Sequence, residues 1–317
     1  DVCSSDLSGI EAGTDYAIAT DSAGMSVSSV SRDPALVATA NGYVVAWIDN
    51  RDAVGFEVWS RSLDADGVPS MALQRLTTSA GAAASPVLAR GSDGTLLASY
   101  VHDDTLMGTI REAFVATIAS TGTLSSSWTR VSSAGELASQ AAVVPGQTAG
   151  FLSGWIDGNG AVRVRPVTVA GAPTGSAVTH GTSTLLALDS TVLVFSQNAG
   201  FDALWAQAIT AAGATEGVLR SALTADATGR DQSLAPLSGG VVVAYRHTTT
   251  EGTFIALSLL NSRGERVHTE VLGETTPNGG PISVAVNNEG RIRLAWAEVD
   301  AGSTTTFTQA VQCAEPL

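Results

Sequence analysis

Six polar residues share one local setting along this chain. Asp49, His102, Asp157, Gln197, His247 and Glu298 each stand two positions after an aromatic that ends an apolar run. The runs read YVVAWID, TLLASYVHD, FLSGWID, TVLVFSQ, VVVAYRH and IRLAWAE, and their aromatics are Trp47, Tyr100, Trp155, Phe195, Tyr245 and Trp296. Residues two apart on a strand point to one side, so each polar group follows its aromatic to the strand exit. Asp52, Asp103, Asp104, Arg51, Arg246 and Asp300 lie close by in sequence. A mainly acidic rim of this kind could ligate Ca²⁺ through oxygen, hold a cationic or sugar ligand, or supply the acid and base of glycoside chemistry. The same residue types also cap loops by accepting backbone amides, and repeated motifs generate rings of like residues with no ligand. The candidate ligand-binding set is Asp49, Arg51, His102, Asp103, Asp157, Gln197, Arg246, His247 and Glu298; no residue is assigned a catalytic role.

Other chemistries find little support. His102, His180, His247 and His268 are scattered without metal-ligand spacing, which argues against zinc. There is no G-x-S-x-G elbow, and neither cysteine neighbours a histidine, which weakens a hydrolase triad. Of the arginines, Arg51, Arg246 and Arg293 lie near the second strands, and Arg293 is at the far end of its strand from the rim. Asp157-Gly-Asn159-Gly160 lacks the downstream Glu of an EF-hand and reads as a tight turn. Trp59, Trp128 and Trp205 would be sugar platforms wherever they stand exposed, whereas aromatics ending buried runs serve packing.

The elements that carry these residues repeat. The six aromatics are spaced by 53, 55, 40, 50 and 51 residues, a period that marks a repeat architecture. Apolar runs such as PALVATANG, SPVLARGSDG, SLAPLSGG and PISVAVNNEG precede four of them, and Gly42, Gly94, Gly240 and Gly290 sit where a hairpin takes positive φ. A third strand follows each of the first five aromatics and ends at Gly67, Gly122, Gly171, Gly213 or Gly264, and a shorter fourth strand comes next. No helical stripe interrupts the pattern. Four antiparallel strands repeated about every 50 residues describe an all-β chain, a β-propeller of six four-stranded blades. The sixth unit has no fourth strand of its own, and Met25 to Val30 is expected to close it. Tyr16 to Gly24 also resembles a third strand with its turn, so seven blades with a truncated N-terminus stands as the alternative.

The net charge is -14 and all 16 basic residues are arginine. Such a surface repels phosphate backbones, so nucleic acid is not expected as a partner, and without lysine there is no Schiff-base or P-loop chemistry. No apolar stretch reaches membrane-spanning length. Asp1 to Leu7 resembles a translated sequencing adapter and is set apart from the propeller expected over residues 8–317. The alternative is a native Cys3 paired with Cys313 in an oxidising compartment.

Trp47, Asp49, Arg51, Val58, Arg61, Asp64, Asp66 and Gly67 resemble the blade pattern of bacterial secreted β-propeller repeat proteins. Trp155 and Asp157 repeat part of it, with Asn159 in the arginine position. The resemblance implies an exported propeller with a binding role, located outside the cell, in the periplasm or at the cell surface. Ser62, Asp64 and Gly67 more loosely resemble the Asp-box turn of sialidase-like propellers, although the glycine is one position late and the closing Thr-Trp is missing. The expected function is a monomeric, non-enzymatic binding or interaction module that meets a protein or carbohydrate through its acidic loop face. It needs no cofactor unless the rim takes Ca²⁺. A propeller glycoside hydrolase or lyase using rim carboxylates is the alternative.

Overall fold

Among the described residues, apolar runs punctuated by turn residues fold this chain into strands joined by turns and loops. The computed structural model describes residues 3–6, 31–51, 55–78, 82–103, 111–183, 186–189, 191–197, 203–222, 228–237, 239–275, 282–286, 291–300 and 303–313. After β1 (Cys3–Asp6), the first sheet holds β2 (Ser31–Ala38), β3 (Tyr43–Asp49), β4 (Glu57–Leu63) and β5 (Gln74–Arg75). The second holds β6 (Ala83–Arg90), β7 (Leu96–Asp103), β8 (Arg111–Ile118) and β9 (Thr129–Arg130). The third holds β10 (Gln140–Pro145), β11 (Phe151–Ile156), β12 (Ala161–Val167) and β13 (Val178–Thr182). The fourth holds β14 (Leu186–Leu188), β15 (Val192–Gln197), β16 (Ala203–Ile209) and β17 (Thr215–Ser221). The fifth holds β18 (Thr228–Leu237), β19 (Gly240–Thr248), β20 (Thr253–Asn261) and β21 (Arg266–Glu274). The last combines β22 (Ile282–Val286), β23 (Arg291–Asp300) and β24 (Ser303–Cys313) with β1. Five sheets run in sequence order and the last sets β1 beyond β24, and the arrangement is that of an all-β propeller.

Two compact units divide the chain: Ala12–His180 with Ala211–Gly213, and Asp1–Glu11 with Gly181–Thr210 and Ala214–Leu317. In the first unit, Val44, Ala46, Ile48 and Val58 of the first sheet pack with Leu88, Leu96, Ala98 and Tyr100 of the second. The other side of the second sheet, with Leu97, Val101 and Val115, meets Val143, Phe151 and Trp155 of the third. In the other unit, Val192, Val194 and Leu204 meet Val241, Val243 and Tyr245, and Val242, Ala244 and Leu257 meet Ile282, Ile292 and Leu294. Each such residue contributes about 1.5–3 kcal/mol when fully buried. Burial of every residue of β11 and of all but the last of β19 explains why second strands read as continuous apolar runs.

One turn recurs between third and fourth strands. Asp64, Ala119, Thr168 and Asn261 each accept the amide of the glycine three residues on and donate their own amide to the carbonyl one residue beyond it. Asp64 Oδ1 also accepts the amides of Asp66 and Val68 at 3.0 and 2.8 Å, so the Asp-box likeness at this turn is ordinary Asx-turn bonding. Two expectations need correction. In the fifth sheet positive φ falls on Gly239, at 83°, while Gly240 opens β19 and is glycine because a Cβ there would stand 2.0 Å from the Leu260 carbonyl oxygen. The position expected for 25–30, which lie outside the described residues, is held by β1, with Cys3 opposite Cys313. An open strand edge recruits another strand through backbone hydrogen bonds alone, so the N-terminal residues set apart on sequence can occupy it whatever their side chains.

Candidate functional site

The second-strand exits of the first unit are built around aromatics held by carboxylates. Trp47 and Trp59 face each other across β3 and β4. Asp49 ends β3 with its side chain wholly buried. Its Oδ2 accepts the Trp47 indole N–H at 3.2 Å and a guanidinium N–H of Arg51, and its Oδ1 accepts the Arg51 backbone amide at 2.8 Å. Arg51, 7 % exposed, lies over the Trp59 ring with Cζ 4.8 Å from the centroid. The motif Trp-x-Asp-x-Arg is therefore a closed cluster: aspartate satisfies the indole and the arginine, and the arginine covers the second indole.

The third sheet reaches the same end with different parts. Asp157 Oδ1 accepts the amides of Asn159 and Ala161 at 2.9 Å, which makes it the cap of the β11–β12 turn. Its Oδ2 takes Nε and Nη2 of Arg163 at 3.0 Å. Arg163 stands on β12 opposite Trp155, where the first sheet carries Trp59. The Trp155 indole donates at 3.2 Å to Glu136, whose other oxygen lies 3.6 Å from Arg163. Sequence reasoning missed both Glu136 and Arg163.

It missed a second device as well. Glu57, buried at the start of β4, binds Nη2 of Arg75 at 3.0 Å and the Thr77 hydroxyl, and Thr77 accepts the Val58 amide at 2.9 Å. Glu112 at the start of β8 binds Arg130 at 3.1 Å, while Ser132 accepts the Ala113 amide at 3.0 Å. The shared spacing, an arginine 18 residues and a hydroxyl 20 residues after the glutamate, was the available signal. These pairs pin short fourth strands to third strands.

His102, 4 % exposed, packs between Tyr100 and Phe114, with ring centroids 5.9 and 6.1 Å away. Asp103 follows on β7 and pairs by backbone with Arg111; its side chain lies outside the described residues, as do Asp52 and Asp104 entirely. In the other unit Arg246 is fully buried and donates to the Thr275 hydroxyl at 2.6 Å. Alternation sends it to the opposite side from Tyr245 and His247. His247 is buried beside Tyr245, its Nδ1 has no hydrogen bond, and burial lowers its pKa. Tyr245 donates or accepts at 3.0 Å with Ser258, and burial raises its pKa. Gln197 ends β15 and Glu298 lies in β23, with side chains outside the described residues.

Asp49 and Asp157 do not fit a Ca²⁺ site, which takes six to eight oxygen ligands, because arginine, indole and amide donors already fill both oxygens of each carboxylate. Among the described residues, no group of three or more His, Cys, Asp or Glu side chains is placed to hold a metal. None of the six tryptophans is exposed: Trp47, Trp59 and Trp155 are buried, and Trp128, Trp205 and Trp296 are half-buried. Trp128 crosses between sheets to donate at 2.9 Å to the Leu76 carbonyl. The exposure that would make Trp59, Trp128 or Trp205 a sugar platform is met by none of them.

No helix of the described residues is long and apolar enough to cross a membrane. Neither a protein-family model nor a curated protein matches the sequence. Solved structures do match in fold. A protein of unknown function from Dyadobacter fermentans is 12 % identical with a TM-score of 0.58, over 89 % of this chain and 94 % of that one. A Hadza microbial sialidase is 10 % identical with a TM-score of 0.57, over 90 % of this chain, which spans 66 % of the sialidase. A Trypanosoma rangeli sialidase, solved with sialic acid, is 11 % identical with a TM-score of 0.50, over 92 % of this chain and 56 % of that one. At such identity the likeness is one of fold: the chain is similar to sialidase-type β-propellers in architecture.

Proposed function

We propose that this chain is a non-enzymatic binding or interaction module, a six-bladed propeller exported by a bacterium, that meets its partner through the loops after the second strands. The observation that carries the reading is the state of Asp49 and Asp157. The glycoside chemistry open to a pair of rim carboxylates needs one carboxyl group free to give a proton and another free to attack or activate water. Both acids are instead spent on arginine, indole and turn amides, as parts of the frame. The inward placement of the tryptophans favours a protein partner over a stacked sugar, and an acidic chain favours a partner with basic or neutral contacts. No cofactor enters this reading.

The test is turnover. Incubated at high concentration with aryl sialosides, the protein should release no aryl alcohol above the buffer rate. Asp49→Asn and Asp157→Asn should lower the unfolding midpoint and nothing else. Release that either substitution abolishes in a still-folded protein would overturn the reading and make the chain a glycosidase.

A further inference from the structure

Fourth strands differ in length. β5 and β9 hold two residues each, whereas β21 holds nine and ends the fifth sheet, paired among the described residues with β20 alone. Bulges break its register between Ile255 and Ala256 and between Leu259 and Leu260. Between them His268, Thr269, Glu270 and Val271 pair regularly with consecutive residues of β20 and leave a straight edge. Proteins blunt such edges with charges, lysine above all, with proline and with bulges; here the two bulges and Arg266 and Glu274 flank the four regular positions, which carry Glu270 as their one carboxylate. This chain has no lysine, β21 has no proline, and Val267 and Val271 are 55 % and 51 % exposed.

Glu270 marks the middle of that edge. Its Oε2 is shut from solvent without a hydrogen bond among the described residues, and His268 Nε2 lies 4.0 Å away. Burial raises the Glu270 pKa and His268 lowers it in part. A buried carboxylate oxygen with no donor is costly, and a cation from a strand laid alongside would relieve it. A second copy is a poor occupant, because each chain carries a net charge of -14.

We propose that the outer edge of β21, along His268 to Val271, is a docking edge for an extended basic segment of a partner protein, which adds as a fifth strand with an arginine or lysine opposite Glu270. Backbone hydrogen bonds supply affinity and the facing side chains supply selectivity, as in other strand-addition complexes. This surface goes beyond the loop face named above.

The probe is a fluorescein-labelled, end-blocked peptide of alternating arginine and valine, titrated into the full chain by fluorescence anisotropy. Saturable binding is expected. N-methylation of alternate peptide amides should abolish it, and Glu270→Gln or Val271→Lys should weaken it about tenfold, the equivalent of about 1.4 kcal/mol. No saturation up to roughly millimolar peptide, or binding indifferent to N-methylation and to Glu270→Gln, overturns the proposal. So does sedimentation showing that the edge pairs two copies instead. The parent with N-methylated peptide keeps the test decisive if a variant misfolds, and the turnover assay is independent of every outcome here.

Discussion

At the scale of single residues, Asp49 is the side chain on which most depends. Its removal takes from a guanidinium and an indole N–H the carboxylate to which both donate, in a site closed to water. Breaking one side of a buried ion pair typically costs about 3–5 kcal/mol. Asp49→Ala should therefore unfold at distinctly lower denaturant than the parent in equilibrium urea melts, and Arg51→Met should cost less, because Asp49 then keeps the Trp47 indole and the residue-51 backbone amide as donors and a stem still covers Trp59. His247 gives a pH-dependent prediction. Its folded pKa lies below the ordinary 6.5, so the unfolded chain takes up the proton first. The associated stability is complete above that value and is lost as pH falls through the lowered one. His180 shifts the same way, with burial outweighing its bond to the Gly213 carbonyl. His247→Gln should make the acid limb of a melting-midpoint profile shallower, and an unchanged limb would contradict the assignment. Asp49 and Arg51 were legible as a motif because they act two residues apart. Arg163 was not, since its partnership with Asp157 depends on the register of a neighbouring strand.

At the scale of elements, turns and strands carried strong signals. Strands covered on both sides must be apolar throughout, and a turn that needs positive φ selects glycine. The Gly240 correction shows the limit of that logic, because glycine is also selected where another backbone comes too close. Gly67 and Gly122 separate strain from packing. Their φ values are 82° and 84°, but a Cβ on Gly67 meets nothing among the described residues, while one on Gly122 stands 3.3 Å from Ser60 Oγ, which itself donates to the Gly122 carbonyl at 2.6 Å. Alanine at either position should cost roughly 1–2 kcal/mol for the left-handed backbone. Gly122→Ala should cost on the order of 1 kcal/mol more for crowding the neighbouring sheet. Equal losses in matched chemical melts would mean that this turn does not bear on β4. Fourth strands were the least legible elements, because their lengths are set by pairing and by the Glu57–Arg75 and Glu112–Arg130 contacts and only weakly by local pattern.

At the scale of the whole molecule, an all-β propeller carries second-strand exits at which Asp49 and Asp157 bond to the frame. Repetition made the architecture readable in the sequence and, by the same means, set a polar residue at each second-strand exit. What a sequence does not display is how many donors fill each carboxylate. The central claim is that Asp49 and Asp157 are structural, and thermal unfolding with Ca²⁺ and with chelator tests it most directly, on the parent and on an Asp49→Asn, Asp157→Asn double variant. The account predicts one midpoint for the parent in both conditions and a lower midpoint, also indifferent to calcium, for the variant. A midpoint that rises with calcium in the parent and loses that rise in the variant would contradict it and make the two carboxylates metal ligands.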